Sequence, residues 1–251
     1  MRELIHLYGP FSINSFGLIL IVGLYIFSFL IVRDPKRAHI ITVDEYYKIL
    51  ALSIIVGLLG GRLLFVASQW DSFESWWDIG AFWQGGFSLL GSICALVIFI
   101  PLYCKKYKIP TIQFLDLIAI YAPLLQAISR LGCFFAGCCF GVSIKNTFLP
   151  VSLQCFKTHP TQLYSAITLF FIFLGMHFFF NKFLQRPGQL FCIYLLLISA
   201  ERFIIDFWRA DREFVLQITI FSLAQLIALA LMSISVCGLL YSSFTGNKKR
   251  S

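Results

Sequence analysis

Charge is what this chain has least of. Only 13% of its 251 residues are Asp, Glu, Lys or Arg, where a soluble domain carries about 25%. Acidic residues are scarcer than basic ones, 12 against 20. A water-soluble globular enzyme is excluded by that poverty. Histidine occurs four times, and none stands beside a cysteine at the spacing of a zinc-binding pattern. No small-residue cleavage site follows the first apolar run, so no cleavable leader is expected. Internal repeats are lacking as well, which argues against an inverted-repeat transporter. The basic residues form neither a face nor an array with aromatics, so the net charge of +8 does not point to nucleic acid.

What is abundant is apolar: 59% hydrophobic residues and a mean hydropathy of +0.84. Runs such as FGLILIVGLYIFSFLIV, from residue 16, reach the roughly 20 residues that cross a bilayer as a helix. They do not alternate apolar with polar residues as barrel strands do. The expected fold is therefore an all-α, polytopic integral membrane protein forming one domain over 1–251. About seven spans are expected, near 13–32, 49–68, 87–103, 112–128, 162–180, 189–207 and 214–240, after an amphipathic lead over 1–11. Lys and Arg concentrate at Arg33–Lys48, Lys105–Lys108, Lys182–Arg186 and the GNKKRS tail. The positive-inside rule then puts the N-terminus outside and the C-terminus inside. On that topology the segments at about 69–86, 129–160 and 208–214 share the outer face. The first of these carries Trp70, Trp76, Trp77 and Trp83, a composition suited to the headgroup level.

The segment 129–141, SRLGCFFAGCCFG, breaks the pattern. A charged side chain deep in a bilayer costs about 2.5 kcal/mol or more, so Arg130 needs a compensating partner. Arg62, Arg202 and Arg209 also fall at or near membrane depth. A guanidinium binds phosphate bidentately and keeps its charge when desolvated, so several converging on one cavity would hold a phospholipid headgroup. The plainer reading pairs each with a carboxylate: Glu201, Asp206 and Asp116 are available, and Arg202 with Asp206 has helical i,i+4 spacing. Gly132, Gly137 and Gly141 are expected to interrupt a helix and line a site, whereas GLLGG at 57–61 is explained by helix packing. Cys133, Cys138 and Cys139 are open to packing beside phenylalanines, a disulfide, or thiol redox chemistry through Cys138 and Cys139. Pro160 is expected at the first helical position of the fifth span. His159, just before it, suits a base, a phosphate ligand or a helix anchor, and His177 suits packing. Asp116 is open to pairing with Arg62 or to backbone hydrogen bonding.

Together, GGR at 60–62, WQGGFS at 83–88, Asp116, SRLGCFFAGCCFG at 129–141, HPTQLY at 159–164, ERFIIDFWR at 201–209 and SLAQL at 222–226 resemble, in order and spacing, the bacterial prolipoprotein diacylglyceryl transferases. The resemblance implies transfer of a diacylglyceryl group from phosphatidylglycerol to the lipobox cysteine of a preprolipoprotein signal peptide, with glycerol phosphate released. It implies an enzyme of the bacterial cytoplasmic (inner) membrane, open to the outer face, surrounded by membrane lipids and needing no cofactor and no metal. Arg130 and Arg202 match its important arginines, and Asp206 and Arg209 match its downstream acidic residue and arginine. His159 is the expected base or headgroup ligand, with Glu201 or the substrate's own environment as the other sources of the base, and Arg62, Gly132, Gly137, Asp206 and Arg209 would complete substrate binding. The chain departs from the family pattern at Leu90, where the family has a histidine, and at Phe16 and Ile198, where it has tyrosines. Cys133, Ala136 and Cys138 replace signature asparagines and a glutamate, and Ser165 replaces the glutamate after QLY. A phospholipid-binding relative without catalysis and a membrane thiol oxidoreductase are the alternatives.

Overall fold

A computed structural model describes residues 4–8, 11–70, 86–142, 158–184, 186–210, 212 and 221–247. Strands β1 (Leu4–Tyr8) and β2 (Phe11–Asn14) pair antiparallel, with Ile5 opposite Ile13. The expected amphipathic lead is thus the first strand of a hairpin. Everything else of length is helical: α1 (Ser15–Arg33), the short α2 (Pro35–Ala38), α3 (Val43–Ser68), α4 (Leu89–Lys106), α5 (Thr111–Ala136), α6 (Thr161–Leu174), α7 (Gln189–Ile205) and α8 (Leu223–Asn247). α6 continues through a π-helical turn, Gly175–Phe180, to Phe183. Among the described residues six helices are long and apolar enough to cross a membrane, and the expected sixth span is the 17-residue α7. The chain is an integral membrane protein. Trp76, Trp77 and Trp83 lie outside the described residues, as do 143–157 and 213–220.

The chain divides into two compact units. Pro35–Phe114 is the smaller. Its α3 begins at Val43, six residues before the expected start at Ile49. Thr42 accepts the Glu45 N–H at 3.3 Å, and Asp44 and Glu45 occupy the first turn. Side-chain capping and acidic residues both favour a helix N-terminus, so the polar VDEYYK stretch folds as helix rather than loop. The glycines of GLLGG do what packing requires. Gly60 and Gly91 approach so closely that a Cβ on either would strike the other's backbone, and Ser92 Oγ donates to the Gly57 carbonyl at 2.8 Å.

The other unit is Met1–Asp34 with Leu115–Ser251. α1 packs on α5 through Gly23, where an added Cβ would lie 3.0 Å from Ile128. Gly132 is similarly covered by Phe16 at 3.0 Å. That contact explains why α5 runs on to Ala136 instead of ending near Ile128. A glycine inside a helix costs about 1 kcal/mol against alanine, and a close interhelical fit outweighs it. The break expected at Gly132 comes at Gly137, with φ 75°. α6 begins at Thr161, with Pro160 one position earlier than expected, as the residue preceding the helix. His177 packs among the rings of Tyr121, Phe173 and Phe178.

Asp116 answers its own question. Its two oxygens accept the N–H groups of Gly188 at 2.6 Å and Phe191 at 2.8 Å, at the start of α7. A carboxylate there meets both orphan donors and the positive end of the helix dipole. Asp116→Ala should therefore lower stability by about 1–3 kcal/mol. A thermal melt in detergent checks this, and an unshifted midpoint would contradict it.

Candidate active site

The site lies in the larger unit, where three helix ends meet. α5 ends there, α6 begins there and α7 ends there, followed by a 3₁₀ turn at Asp206–Trp208. Main-chain hydrogen bonds stitch the segments together. Gly141 N–H donates to His159 O at 2.9 Å, and His159 N–H to Val142 O at 3.1 Å. Val142 N–H reaches Trp208 O at 2.9 Å, and Gly141 pairs with Arg209 as an antiparallel bridge. Gly141 is required there, since a Cβ would overlap the Trp208 carbonyl.

The junction forms a small, partly open cleft. Arg130 enters from the last turns of α5, Glu201 and Arg202 from the last turn and a half of α7, and Arg209 from just beyond the 3₁₀ turn. Cys139, Thr161, Gln162, Ser165 and Ile205 complete the wall. Three guanidinium groups face one carboxylate, so the cleft is electropositive and suits an anion. The N-terminus of α6, with Thr161 and Gln162 buried at 2% exposure each, adds its dipole with the same sign.

Arg202 makes the expected i,i+4 pair with Asp206 at 3.6 Å, and Asp206 is also paired with Arg212 at 3.5 Å and accepts from Ser222 Oγ. Asp206 is thus shared by two arginines, which leaves Arg202, about one-third exposed, the capacity to meet a further anion. Among the described residues Arg130 has no salt bridge. Glu201, buried, accepts from Ser165 Oγ.

His159 is not one of the cleft-lining residues. Its backbone belongs to the ladder, its ring lies edge-on to Tyr164, and its Nδ1 is buried with no hydrogen-bond partner among the described residues. Gly132 serves the helix contact with Phe16, and Gly137 supplies the turn that ends α5. Arg62 belongs to the smaller unit; it donates to the Gly86 carbonyl at 3.2 Å, and its guanidinium lies 5.7 Å from the centre of the Phe65 ring. Three of the four arginines singled out from the sequence therefore line one cleft in one unit. Thr161, Gln162 and Ser165 were not singled out as site residues, although they share a face at helical i, i+1, i+4 spacing; Glu201, a candidate base in the sequence, does line the cleft.

The cysteines carry no disulfide among the described residues. The pKa of the Cys139 thiol is lowered to about 5 by hydrogen bonding from Cys133, reinforced by Cys138 and the Arg209 guanidinium, while burial pushes that of Cys138 up.

A family profile described as prolipoprotein diacylglyceryl transferase matches residues 2–241. The chain belongs to that family. Similar proteins include the phosphatidylglycerol–prolipoprotein diacylglyceryl transferase of Thermotoga maritima, 27% identical over 254 residues that cover 97% of this chain and 85% of the relative. The Clostridium tetani protein of the same name is 30% identical over 218 residues, covering 82% of this chain and 85% of its own length. The one from Ehrlichia ruminantium strain Welgevonden is 28% identical over 250 residues, 95% of this chain and 96% of the relative.

Proposed function

We propose that this chain transfers the diacylglyceryl group of phosphatidylglycerol to the thiol of the lipobox cysteine in a preprolipoprotein. The names of its relatives supply the two substrates. The observation that carries the reading is the cleft itself, in which Arg130, Arg202 and Arg209 meet around a space open on one side.

The substrate's sulfur forms a bond to the glyceryl carbon while that carbon's bond to the phosphate oxygen breaks. The thiol proton must leave, because the thiolate is the nucleophile. Glycerol phosphate departs with the electron pair, and charge grows on its oxygens. Cations placed where charge develops lower the barrier most, and Arg130 and Arg202 are assigned that task, with Arg209 and the α6 N-terminus in support. Glu201 is the carboxylate of the cleft and takes the thiol proton. Ser165 orients it, Asp206 steadies Arg202, and His159 anchors the backbone ladder that holds Arg209. Arg62, Gly132 and Gly137 support the site by binding lipid or shaping the frame. The cleft opens toward the outer face of the cytoplasmic membrane, with the C-terminus inside, as the distribution of Lys and Arg favours.

Purified protein in detergent, given phosphatidylglycerol and a lipobox peptide, should add one diacylglyceryl mass to the peptide. A Cys→Ser peptide should gain nothing. An unmodified thiol peptide at full substrate occupancy would reject the reading.

A further inference from the structure

The transfer just described uses carboxylate and guanidinium chemistry and leaves three thiols unexplained. Cys133 lies on the last turn of α5, and the chain then doubles back through Gly137 (φ 75°) and Cys139 (φ 62°). A left-handed conformation at a non-glycine residue is costly and persists only where its surroundings impose it. Here they do. Cys138 N–H donates to the Cys133 carbonyl at 3.2 Å. Gln162 Nε2 holds the Cys138 carbonyl, and Thr161 Oγ1 holds the Cys139 carbonyl at 3.0 Å. The turn folds three sulfurs onto one another. The Sγ atoms of Cys133, Cys138 and Cys139 all lie within 4.8 Å of each other, with Cys138 and Cys139 3.6 Å apart.

Those separations match the demands of one soft cation. Metal–sulfur bonds of about 2.3 Å in a tetrahedral site set neighbouring sulfurs roughly 3.8 Å apart. Rotamer adjustments of exposed Cys138 and half-buried Cys133 and Cys139 cover the remainder. The donor set holds sulfur alone, which selects Zn²⁺, Cd²⁺ or Cu⁺ over Mg²⁺ and Ca²⁺. The charge also closes. Three thiolates around a divalent ion leave one negative charge, and the Arg130 and Arg209 guanidinium groups act electrostatically on Cys133 and Cys139 respectively.

We propose that Cys133, Cys138 and Cys139 form a three-thiolate site for a single soft metal ion of the zinc class, on the wall of the arginine cleft. Binding replaces up to three thiol protons with three metal–sulfur bonds, releases those protons to solvent, and changes no oxidation state. The contiguous pattern C-x4-C-C, with no histidine nearby, does not advertise such a site; the left-handed turn creates it.

Cd²⁺ titration of the full chain in detergent, under a non-thiol reductant, reads the site through the ultraviolet sulfur-to-cadmium charge-transfer band. One equivalent should saturate it, and Zn²⁺ should displace it. Cys138→Ser, at an exposed position, should weaken apparent affinity at least tenfold, and Cys133→Ser with Cys139→Ser should abolish the band. Cys94→Ser and Cys237→Ser, at exposed lone thiols, should leave it unchanged. Absence of a saturable band in the parent chain, or an unaltered band in Cys138→Ser and in the Cys133→Ser, Cys139→Ser pair, overturns the proposal. The readout needs no lipid transfer, so its failure and the failure of the transferase reading are separate results.

Discussion

Arg130→Ala and Arg202→Ala are each expected to lower kcat/KM for thiol lipidation by about 10²–10³, the cost of removing one preorganised charge from a developing oxyanion. The loss should fall mainly on kcat, because phosphate charge rises as the carbon–oxygen bond breaks. Lysine at either position keeps the charge but loses the planar fork, so Arg130→Lys should lie between the parent and the alanine variant. The two positions differ in what else they hold. Arg130 has no ion pair among the described residues, so its removal should leave the melting temperature unchanged. Arg202 shares Asp206 with Arg212, so Arg202→Ala leaves a buried carboxylate with one cationic partner and should also cost stability. The double variant should be less than multiplicatively impaired, as expected of residues that act as a unit. Undiminished turnover in both single variants would remove these arginines from the mechanism. Initial rates on a lipobox peptide, with melting curves alongside, separate chemistry from folding.

Glu201→Gln should lower kcat by about 10²–10⁴, the usual worth of a general base, with the KM for phosphatidylglycerol nearly unchanged. Glutamine has the same shape and can still accept from Ser165, so packing is preserved while proton acceptance is lost. A more exacting variant moves the carboxylate. The family pattern carries a glutamate where this chain has Ser165, and Ser165 is the residue that hydrogen-bonds Glu201. In this chain the acidic group of the cleft is carried by α7. Ser165→Glu alone sets two carboxylates against one another and should reduce activity. Ser165→Glu combined with Glu201→Ser restores a single carboxylate from the other helix and should recover at least about tenfold over Glu201→Gln. Equal turnover in parent and Glu201→Gln would leave the proton to another group.

The apolar runs, the Arg202–Asp206 pair and the packing role of GLLGG were all legible in the sequence, because each rests on local spacing or on summed hydropathy. The end of α5 was not. Gly132 reads as a breaker, and only the covering ring of Phe16, far away along the chain, makes helix the better state. Glu201 reads from sequence both as an ion-pair partner of its neighbouring arginine and as a candidate base, with nothing local to decide between them. Its burial against Ser165 is a tertiary fact with no sequence period. The approach of the three sulfurs was hidden for a related reason. It needs a positive φ at Cys139, and nothing about a cysteine announces that. Thr161, Gln162 and Ser165 did offer a signal: three small or amide side chains on one face of an otherwise greasy helix.

The stitching of Gly141 and Val142 to His159 and to Trp208 has a consequence for how this enzyme could change over time. Those links run between peptide groups, and apart from Gly141, where a methyl would collide, they make no demand on which side chain occupies each position. A lineage can therefore exchange asparagine for cysteine, or shift an acid from one helix to its neighbour, while the scaffold keeps its alignment. The architecture separates the part that must stay fixed from the part that is free to experiment.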